Sequence, residues 1–306
     1  MWNRFNCSLL EVHYMPSLVT VFTRKKPLSD HLHKLRVQGK RIGLVPTMGA
    51  LHQGHISLLH FIEDHCDIRV CSIFVNPTQF NNADDLKNYP RPKEKDLTML
   101  EEIGCEVVFM PEVDEMYGKD EAWHIELGQL DKVLEGAFRP GHYQGVAQVV
   151  KKLFDYVKPD VACFGQKDFQ QYLVIEKMIR HHNLHIQLLM CPTVRDDKGL
   201  ALSSRNIRLS KQGYQEALAI PKTLSQFSID CEELGIEEAK KRTLEALKEN
   251  TALQLEYFEV CNPENLQPIA EVQKSQAMIA LIAAWVDGVR LIDNMIFRVS
   301  PKIKLS

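Results

Sequence analysis

The 306-residue chain has no apolar stretch approaching the ~20 residues that a membrane-spanning helix requires, so a membrane-embedded function is not expected. Residues 1–14 lack the basic start and the continuous apolar centre of a secretory signal, which points to a cytoplasmic protein. An excess of either charge is missing too: 37 Lys and Arg against 40 Asp and Glu leave a net charge of -3, too little for bulk attraction to nucleic acid or an anionic membrane. A small-molecule partner is the expectation that remains. The eight cysteines include no Cys-x-x-Cys pair, and Cys71, Cys105, Cys163 and Cys191 fall in or beside apolar runs, where cysteine behaves as a small hydrophobe. His181, His182 and His185 follow a predicted helix ending near Arg180, where basic residues suit the helix dipole, and no second ligand pair stands nearby to complete a zinc site. Internal repeats and low-complexity tracts are absent.

What the sequence does have is alternation. Short apolar runs at 42–45, 69–75, 106–110, 160–164 and 186–190 read as buried strands, and helical patterns lie between them near 55–66, 93–103, 146–157 and 169–179. The third helix is the clearest, with Val146, Val149, Val150, Leu153, Phe154 and Val157 on one face. This order predicts an α/β domain with a Rossmann-like parallel sheet, whose ligands lie beyond the carboxyl ends of the strands. The last third changes character: helices at 209–224 and 236–247 precede strands at 255–260, 277–285 and 289–292, with a turn at Asp287-Gly288. The expected division is therefore an extension at 1–14, a Rossmann-like domain at 15–192 and a smaller α+β domain at 193–306, with the boundary near Pro192.

The chemistry-bearing clusters follow the strands. After the first run come Pro46-Thr47-Met48-Gly49-Ala50-Leu51-His52-Gln53-Gly54-His55, a loop whose glycines let backbone approach a ligand and whose following helix offers unpaired N–H groups to an anion. After the second come Asn76-Pro77-Thr78-Gln79-Phe80, where uncharged amides can hold a small polar substrate. Tyr89-Pro90-Arg91 opens another helix, in which Asp96 reads as a solvated residue. The segment 136–145 places Arg139 and His142 among three glycines and a proline, a composition suited to a site-lining loop. Following the 160–164 run, Gly165-Gln166-Lys167-Asp168 combines close backbone approach, a mobile cation and a possible ribose acceptor, with Gln171 one helical turn beyond Lys167. Last, Leu202-Ser203-Ser204-Arg205 groups two hydroxyls and a guanidinium as an oxyanion clamp.

Taken in order, P-T-M-G-A-L-H-Q-G-H, F-V-N-P-T-Q-F, Y-P-R, F-R-P-G-H-Y-Q-G-V, F-G-Q-K-D-F-Q-Q, P-T-V-R, L-S-S-R-N and R-L-I-D-N make the chain resemble the pantoate–beta-alanine ligase (pantothenate synthetase) family of the adenylate-forming H-x-G-H superfamily, over roughly residues 21–295. The resemblance implies a Rossmann-like domain, a smaller closing domain, a homodimer, and ATP with Mg²⁺. It implies that Met48 to His55, Gly165, Gln166, Lys167, Asp168, Val194 and Leu202 to Arg205 bind ATP, with His52, His55, Lys167 and Arg205 in catalytic roles. Gln79 and Gln171 would hold pantoate, with Asn76 bordering the pocket and Arg139 and His142 lining it. Asp96 falls where the family suggests a magnesium ligand, but Lys95 stands beside it in place of a common acidic residue, which argues against that role. Thr78 replaces a common methionine and Phe138 a frequent serine; both are expected to tune packing. Residues 1–14 lie outside the resemblance, and Met15 begins the family-like part.

The implied reaction is a two-step ligation. Pantoate attacks the α-phosphate of ATP to give pantoyl adenylate and pyrophosphate, and the beta-alanine amine then displaces AMP. No protein nucleophile is needed, so catalysis would be positioning plus electrostatics. A nucleotidyltransferase acting on a phosphorylated molecule is the alternative. It would call for extra cations at the second site, where Asn76, Gln79 and Gln171 are neutral.

Overall fold

The computed structural model describes residues 19–118, 121–270 and 276–299. The expected extension 1–14 and Met15 lie outside them.

Six parallel strands, β1 (Thr20–Phe22), β2 (Ile42–Thr47), β3 (Ile68–Ile73), β4 (Val107–Phe109), β5 (Val161–Gly165) and β6 (Gln187–Cys191), form one sheet in the order β1-β4-β3-β2-β5-β6. Five correspond to the apolar runs. β1 has no such signal, because it is three residues long and largely exposed at the sheet edge. The helix Lys25–Val37 is likewise silent in the sequence: only Leu28 and Leu32 are buried, too narrow a stripe to stand out as a period.

Helices cover both faces of the sheet. Leu28, Leu32, Val146, Val150 and Phe154 pack on one side, and Leu59, Ile62 and Leu100 on the other. The helix His142–Val157 starts one turn earlier than its apolar face suggests, after Gly141 with φ 80, so His142 sits in its first turn.

The connections run outward in opposite directions from β2 and β5, which makes their boundary the topological switch point. β2 pairs with β3 along its whole length, but with β5 only at Gly43↔Val161 and Leu44↔Ala162. Beyond that register the carboxyl ends of β2 and β5 go unpaired with each other, leaving room for a cleft.

The second sheet is antiparallel, β7 (Leu253–Cys261), β8 (Ala277–Val286) and β9 (Val289–Arg298), with β8 in the centre. Alternate β8 residues face two cores. Met278, Ala280, Ile282 and Ala284 pack toward the helices Ala219–Leu234 and Ile236–Glu249, while Ile279 and Leu281 pack with Leu134, Phe169 and Leu173 of the first part of the chain. Burial on both faces explains why this segment reads as a continuous apolar run. Asp287 and Gly288 both have positive φ, 53 and 69, as the Asp-Gly hairpin signal requires.

Polar clamps join the sheets. Asn294 Nδ2 donates to the carbonyls of Gln166 and Lys167 at 2.9 and 3.0 Å, Arg195 forks onto Asp293, and Arg290 forks onto Glu135, which also accepts from Tyr257. These bonds give the late R-L-I-D-N motif its structural meaning.

Gly145 sits where the helix His142–Val157 meets the Pro77–Gln79 turn. A Cβ there would collide with the Thr78 carbonyl and come within 2.9 Å of Gln79 N. Gly145→Ala is therefore expected to destabilise the fold by about 1–3 kcal/mol, lowering Tm by several degrees in a thermal melt, as overpacking does. An unchanged Tm would show that the turn moves aside freely.

Candidate active site

The loop after β2 is held in a conformation that few residues adopt. Gly49 and Ala50 are both left-handed, with φ 80 and 51, and the Ala50 geometry carries a cost for a residue with a Cβ. What fixes it is Asp96. Its two carboxylate oxygens accept from Ala50 N and Leu51 N, each at 2.8 Å, and the side chain is 1 % exposed. The expectation of a solvated Asp96 is thus corrected. Asp96 does not line the cleft, and both its oxygens take main-chain N–H donors, so its place in the structure is to hold the loop. Burial pushes its carboxyl above the usual carboxylate value, against the lowering effect of the two N–H donors.

The loop delivers His52 to the N-cap of the helix Gln53–Glu63. His52 Nδ1 accepts from Gly54 N at 3.1 Å, and His52 N donates to His55 Nδ1 at 3.3 Å, a reciprocal capping arrangement. Because each Nδ1 accepts, each ring carries its proton on Nε2. The rings lie 4.1 Å apart. Burial, followed by the Lys167 charge, lowers the His52 pKa to about 4; burial, then His52 and Lys167, lower that of His55 to about 3. At neutral pH the pair are therefore uncharged N–H donors.

Across the switch point, β5 ends in Gly165 and turns through Gln166–Asp168 into the helix Phe169–His181. Lys167 lines the cleft and has no ion-pair partner among the described residues. Asp168 and Gly165 line it as well, whereas the Gln166 amide instead donates to Asn294 Oδ1.

The third wall comes from the chain after β6: Pro192, Thr193, Val194 and Leu202 to Arg205. Ser204 Oγ donates to the Ala50 carbonyl at 3.1 Å and ties this wall to the histidine loop. Arg205 stands 5.7 Å over the Tyr89 ring, and its Nη2 donates to Asp85 Oδ2 at 2.8 Å. Arg208 holds the other Asp85 oxygen at 3.2 Å, and the two guanidiniums keep the carboxyl below its ordinary pKa against the opposing effect of burial.

The cleft has a volume of about 210 Å³. A second cavity of about 370 Å³ adjoins it and shares Lys167, Asp168, Ser203 and Arg205 as walls. Away from these cations the first cleft is lined by apolar groups, Phe74, Val146, Val150 and Leu153 among them, with the amides of Asn76, Gln79 and Gln171 at the edge. The Gln171 side chain has no hydrogen-bond partner among the described residues.

One cleft therefore gathers Met48, His52, Gly54, His55, Asn76, Gln79, Gly165, Lys167, Asp168, Gln171, Val194 and Leu202 to Arg205. Several expected residues stand behind it. Gly49, Ala50 and Leu51 shape the loop, and the N–H groups of Ala50 and Leu51 are spent on Asp96. Gln53 is exposed on the helix. His142 Nδ1 donates to the Gln79 carbonyl at 2.8 Å, its pKa lowered to about 3 by burial and then by Arg139; Arg139 itself pairs with Glu135 at 3.8 Å. Thr78 also differs from expectation. Its hydroxyl is hydrogen-bonded to Asn76 Oδ1 at 3.1 Å, a polar role in place of packing, while Phe138 stacks near Tyr257 at 5.7 Å.

Sequence reading misses Asp85, Asp293 and Tyr117. Asp293 lies in a recognised motif without a role, and nothing in spacing links Asp85 or Tyr117 to the cleft.

Comparison with known proteins gives a consistent picture. The model of the family described as pantoate-beta-alanine ligase matches residues 20–296. Pantothenate synthetase of Bacteroides thetaiotaomicron is 44% identical over 273 residues, covering 89% of this chain and 97% of that protein. The crystal structure of pantothenate synthetase from Thermus thermophilus superposes with a TM-score of 0.85 at 36% identity, over 92% of this chain and 100% of that one. A pantoate-beta-alanine ligase from Francisella tularensis, described as complexed with beta-gamma ATP and beta-alanine, has a TM-score of 0.76 at 31% identity, covering 90% and 97%.

Three histidines, His142 buried and His52 and His55 half-buried, make stability depend on pH. For His52, His55 and His142 the folded pKa values, about 4, 3 and 3, lie below the ordinary 6.5, so between those limits the unfolded chain binds protons that the folded chain refuses. Stability should therefore fall as pH drops from 7 through 5. Denaturant unfolding at pH 7, 6 and 5 measures this, and His52→Asn, which keeps a good N-cap, should flatten the dependence by roughly one proton. An identical slope in that variant would mean that His52 is not held neutral.

Proposed function

The chain belongs to the pantoate–beta-alanine ligase family, and from that premise we propose how its cleft carries out the reaction. The enzyme joins pantoate to beta-alanine with the use of ATP, giving pantothenate. We assign the cationic part of the cleft to the nucleotide and the amide-edged, apolar part to pantoate. The observation that carries this assignment is the meeting of the two parts at His52 and His55, between an unpaired Lys167 and the neutral Gln79 and Gln171.

In the first step a pantoate carboxylate oxygen attacks the α-phosphorus, the bond to the bridging oxygen breaks, and pyrophosphate leaves. The Nε2–H groups of His52 and His55 donate to phosphate oxygens, Lys167 and Arg205 offset the negative charge that builds on the leaving group, and Asp168 accepts from the ribose. In the second step the beta-alanine amine attacks the acyl carbon, loses a proton, and AMP departs. Because the histidines are neutral, they act by hydrogen bonding and need not give up a proton. Each such preorganised donor lowers the barrier because it needs no reorganisation as charge develops.

Magnesium would arrive with ATP, held chiefly by the triphosphate oxygens. No group of three or more acidic, histidine or cysteine side chains suited to a metal occurs among the described residues, and Asp96 is occupied, so no step is assigned to a protein-bound metal. A homodimer and a cytoplasmic site of action complete the proposal; no helix among the described residues is long and apolar enough to cross a membrane.

Lys167→Ala should retain the fold and slow adenylation by about 10²-fold or more, the scale of one preorganised charge-stabilising donor. Normal single-turnover adenylation in the folded variant would remove Lys167 from the mechanism. Products test the route itself. Pantoate alone should support ATP–pyrophosphate exchange and beta-alanine alone should not, while the full reaction should release AMP and pyrophosphate. ADP with inorganic phosphate would instead indicate an acyl-phosphate intermediate.

A further inference from the structure

Asn76 borders the cleft, yet its amide has no hydrogen-bonding capacity left for a substrate. The side chain is 0 % exposed. Its two Nδ2 protons go to Gln79 Oε1 and to the Gly145 carbonyl, both at 3.1 Å. Its Oδ1 accepts from Tyr117 Oη at 2.6 Å, from Thr78 Oγ1 at 3.1 Å and from Thr78 N at 3.4 Å. The two hydroxyls also lie 3.3 Å apart. Every donor and acceptor on this amide is thus used within the protein.

These bonds determine more than Asn76. A backbone N–H can only donate, so the end of the Asn76 amide facing Thr78 N must be oxygen, and the end facing Gln79 must be the NH₂. An NH₂ group offers only protons, so Gln79 must present its Oε1 in return. That leaves Gln79 Nε2 on the cleft side, where it lies 3.0 Å from Met48 Sδ. A primary amide can be turned end for end with little change of shape; here the Thr78 N–H and the Gly145 carbonyl choose the ends, and two hydroxyls outside the cleft hold the amide oxygen in place. Tyr117 makes the shorter of the two hydroxyl bonds. It does not line the cleft, its ring packs against Phe74 at a centroid distance of 6.3 Å, and Lys152 Nζ lies 5.3 Å from its ring centroid. Burial pushes its phenol up to about 12, which keeps the hydroxyl protonated across the working range.

We propose that Tyr117, aided by Thr78, is a positioning residue for the ligation: its hydroxyl holds in place the Asn76 amide, whose ends the backbone of Thr78 and Gly145 orients, and through it the Gln79 amide with its NH₂ end toward the cleft, as a donor to the oxygens of the pantoate. This inference rests on the assignment of Gln79 to the acid-binding end of the cleft. An NH₂ group suits an anionic or hydroxyl oxygen, whereas a reversed amide would set a carbonyl oxygen against a carboxylate. The residue that selects for the acid would then be steadied by a hydroxyl two residues further from the substrate.

Steady-state kinetics with each substrate varied in turn provide the test. Tyr117→Phe keeps the ring and removes the donor; the KM for pantoate should rise about 3- to 10-fold, the factor that one ordinary hydrogen bond commands, with the KM values for ATP and beta-alanine unchanged. Thr78→Val, at an exposed position, should shift the pantoate KM in the same direction and serves where Tyr117→Phe folds poorly. In a Gln79→Ala background Tyr117→Phe should have no further effect on pantoate. If Gln79→Ala raises the pantoate KM but Tyr117→Phe and Thr78→Val leave it unchanged, or raise all three KM values alike, the positioning role is overturned. If Gln79→Ala itself leaves the pantoate KM unchanged, the assignment of Gln79 fails, and the positioning role fails with it.

Discussion

The buried carboxylate of Asp96 is the constraint on which the cleft depends. Two successive left-handed residues, Gly49 and Ala50, turn the chain sharply after β2, and the second of them would not hold that geometry unaided. Two hydrogen bonds from Ala50 N and Leu51 N to the carboxyl oxygens of Asp96 hold it. From this turn follow the N-cap position of His52, the stacking of His52 on His55, and the Ala50 carbonyl that receives Ser204. A single side chain on the helix Lys93–Glu102 thereby sets both the histidine pair and the point where the wall after β6 meets it.

Around that anchor, charge is kept to one part of the cleft. The histidines are held neutral by burial and by the nearby Lys167, so the fixed positive charges of the cleft are Lys167 and Arg205. The region edged by Gln79 and Gln171 carries no charge of its own and is backed by the apolar face of the helix His142–Val157. On the proposed assignment, such a division would let a triphosphate and a small carboxylic acid share one cleft without competing for the same groups. The parted ends of β2 and β5 make it possible, since the two loops that carry the histidines and the lysine leave adjacent strands at the switch point.

Much of this was legible in the sequence because strands buried on both faces write themselves as apolar runs, and because the loops after them carry glycine, histidine, lysine and amide residues in short clusters. The fold class, five of the six parallel strands and the grouping of His52, His55, Lys167, Gln79 and Arg205 were all accessible in that way. Pairings between distant segments were not. Asp96 on a polar helix looks like any solvated carboxylate until the loop from 46 residues earlier is laid against it. Tyr117 lies 41 residues beyond Asn76 in a stretch without clear periodicity, and Asn294 reaches the Lys167 turn across 127 residues. Local spacing reports on one element at a time. A hydrogen bond that joins two elements leaves no trace in either one.

The ion pair of Asp85 with Arg205 and Arg208 has a consequence for ligand affinity. Asp85 takes one N–H of the Arg205 guanidinium and leaves the others, so an anion that binds Arg205 does so beside a carboxylate that offsets part of its charge. The attraction that such an anion feels is reduced by repulsion from Asp85, which Arg208 in turn offsets. With two guanidiniums to one carboxylate the group keeps a net positive charge, so a triphosphate is drawn to it more strongly than a singly charged acid would be.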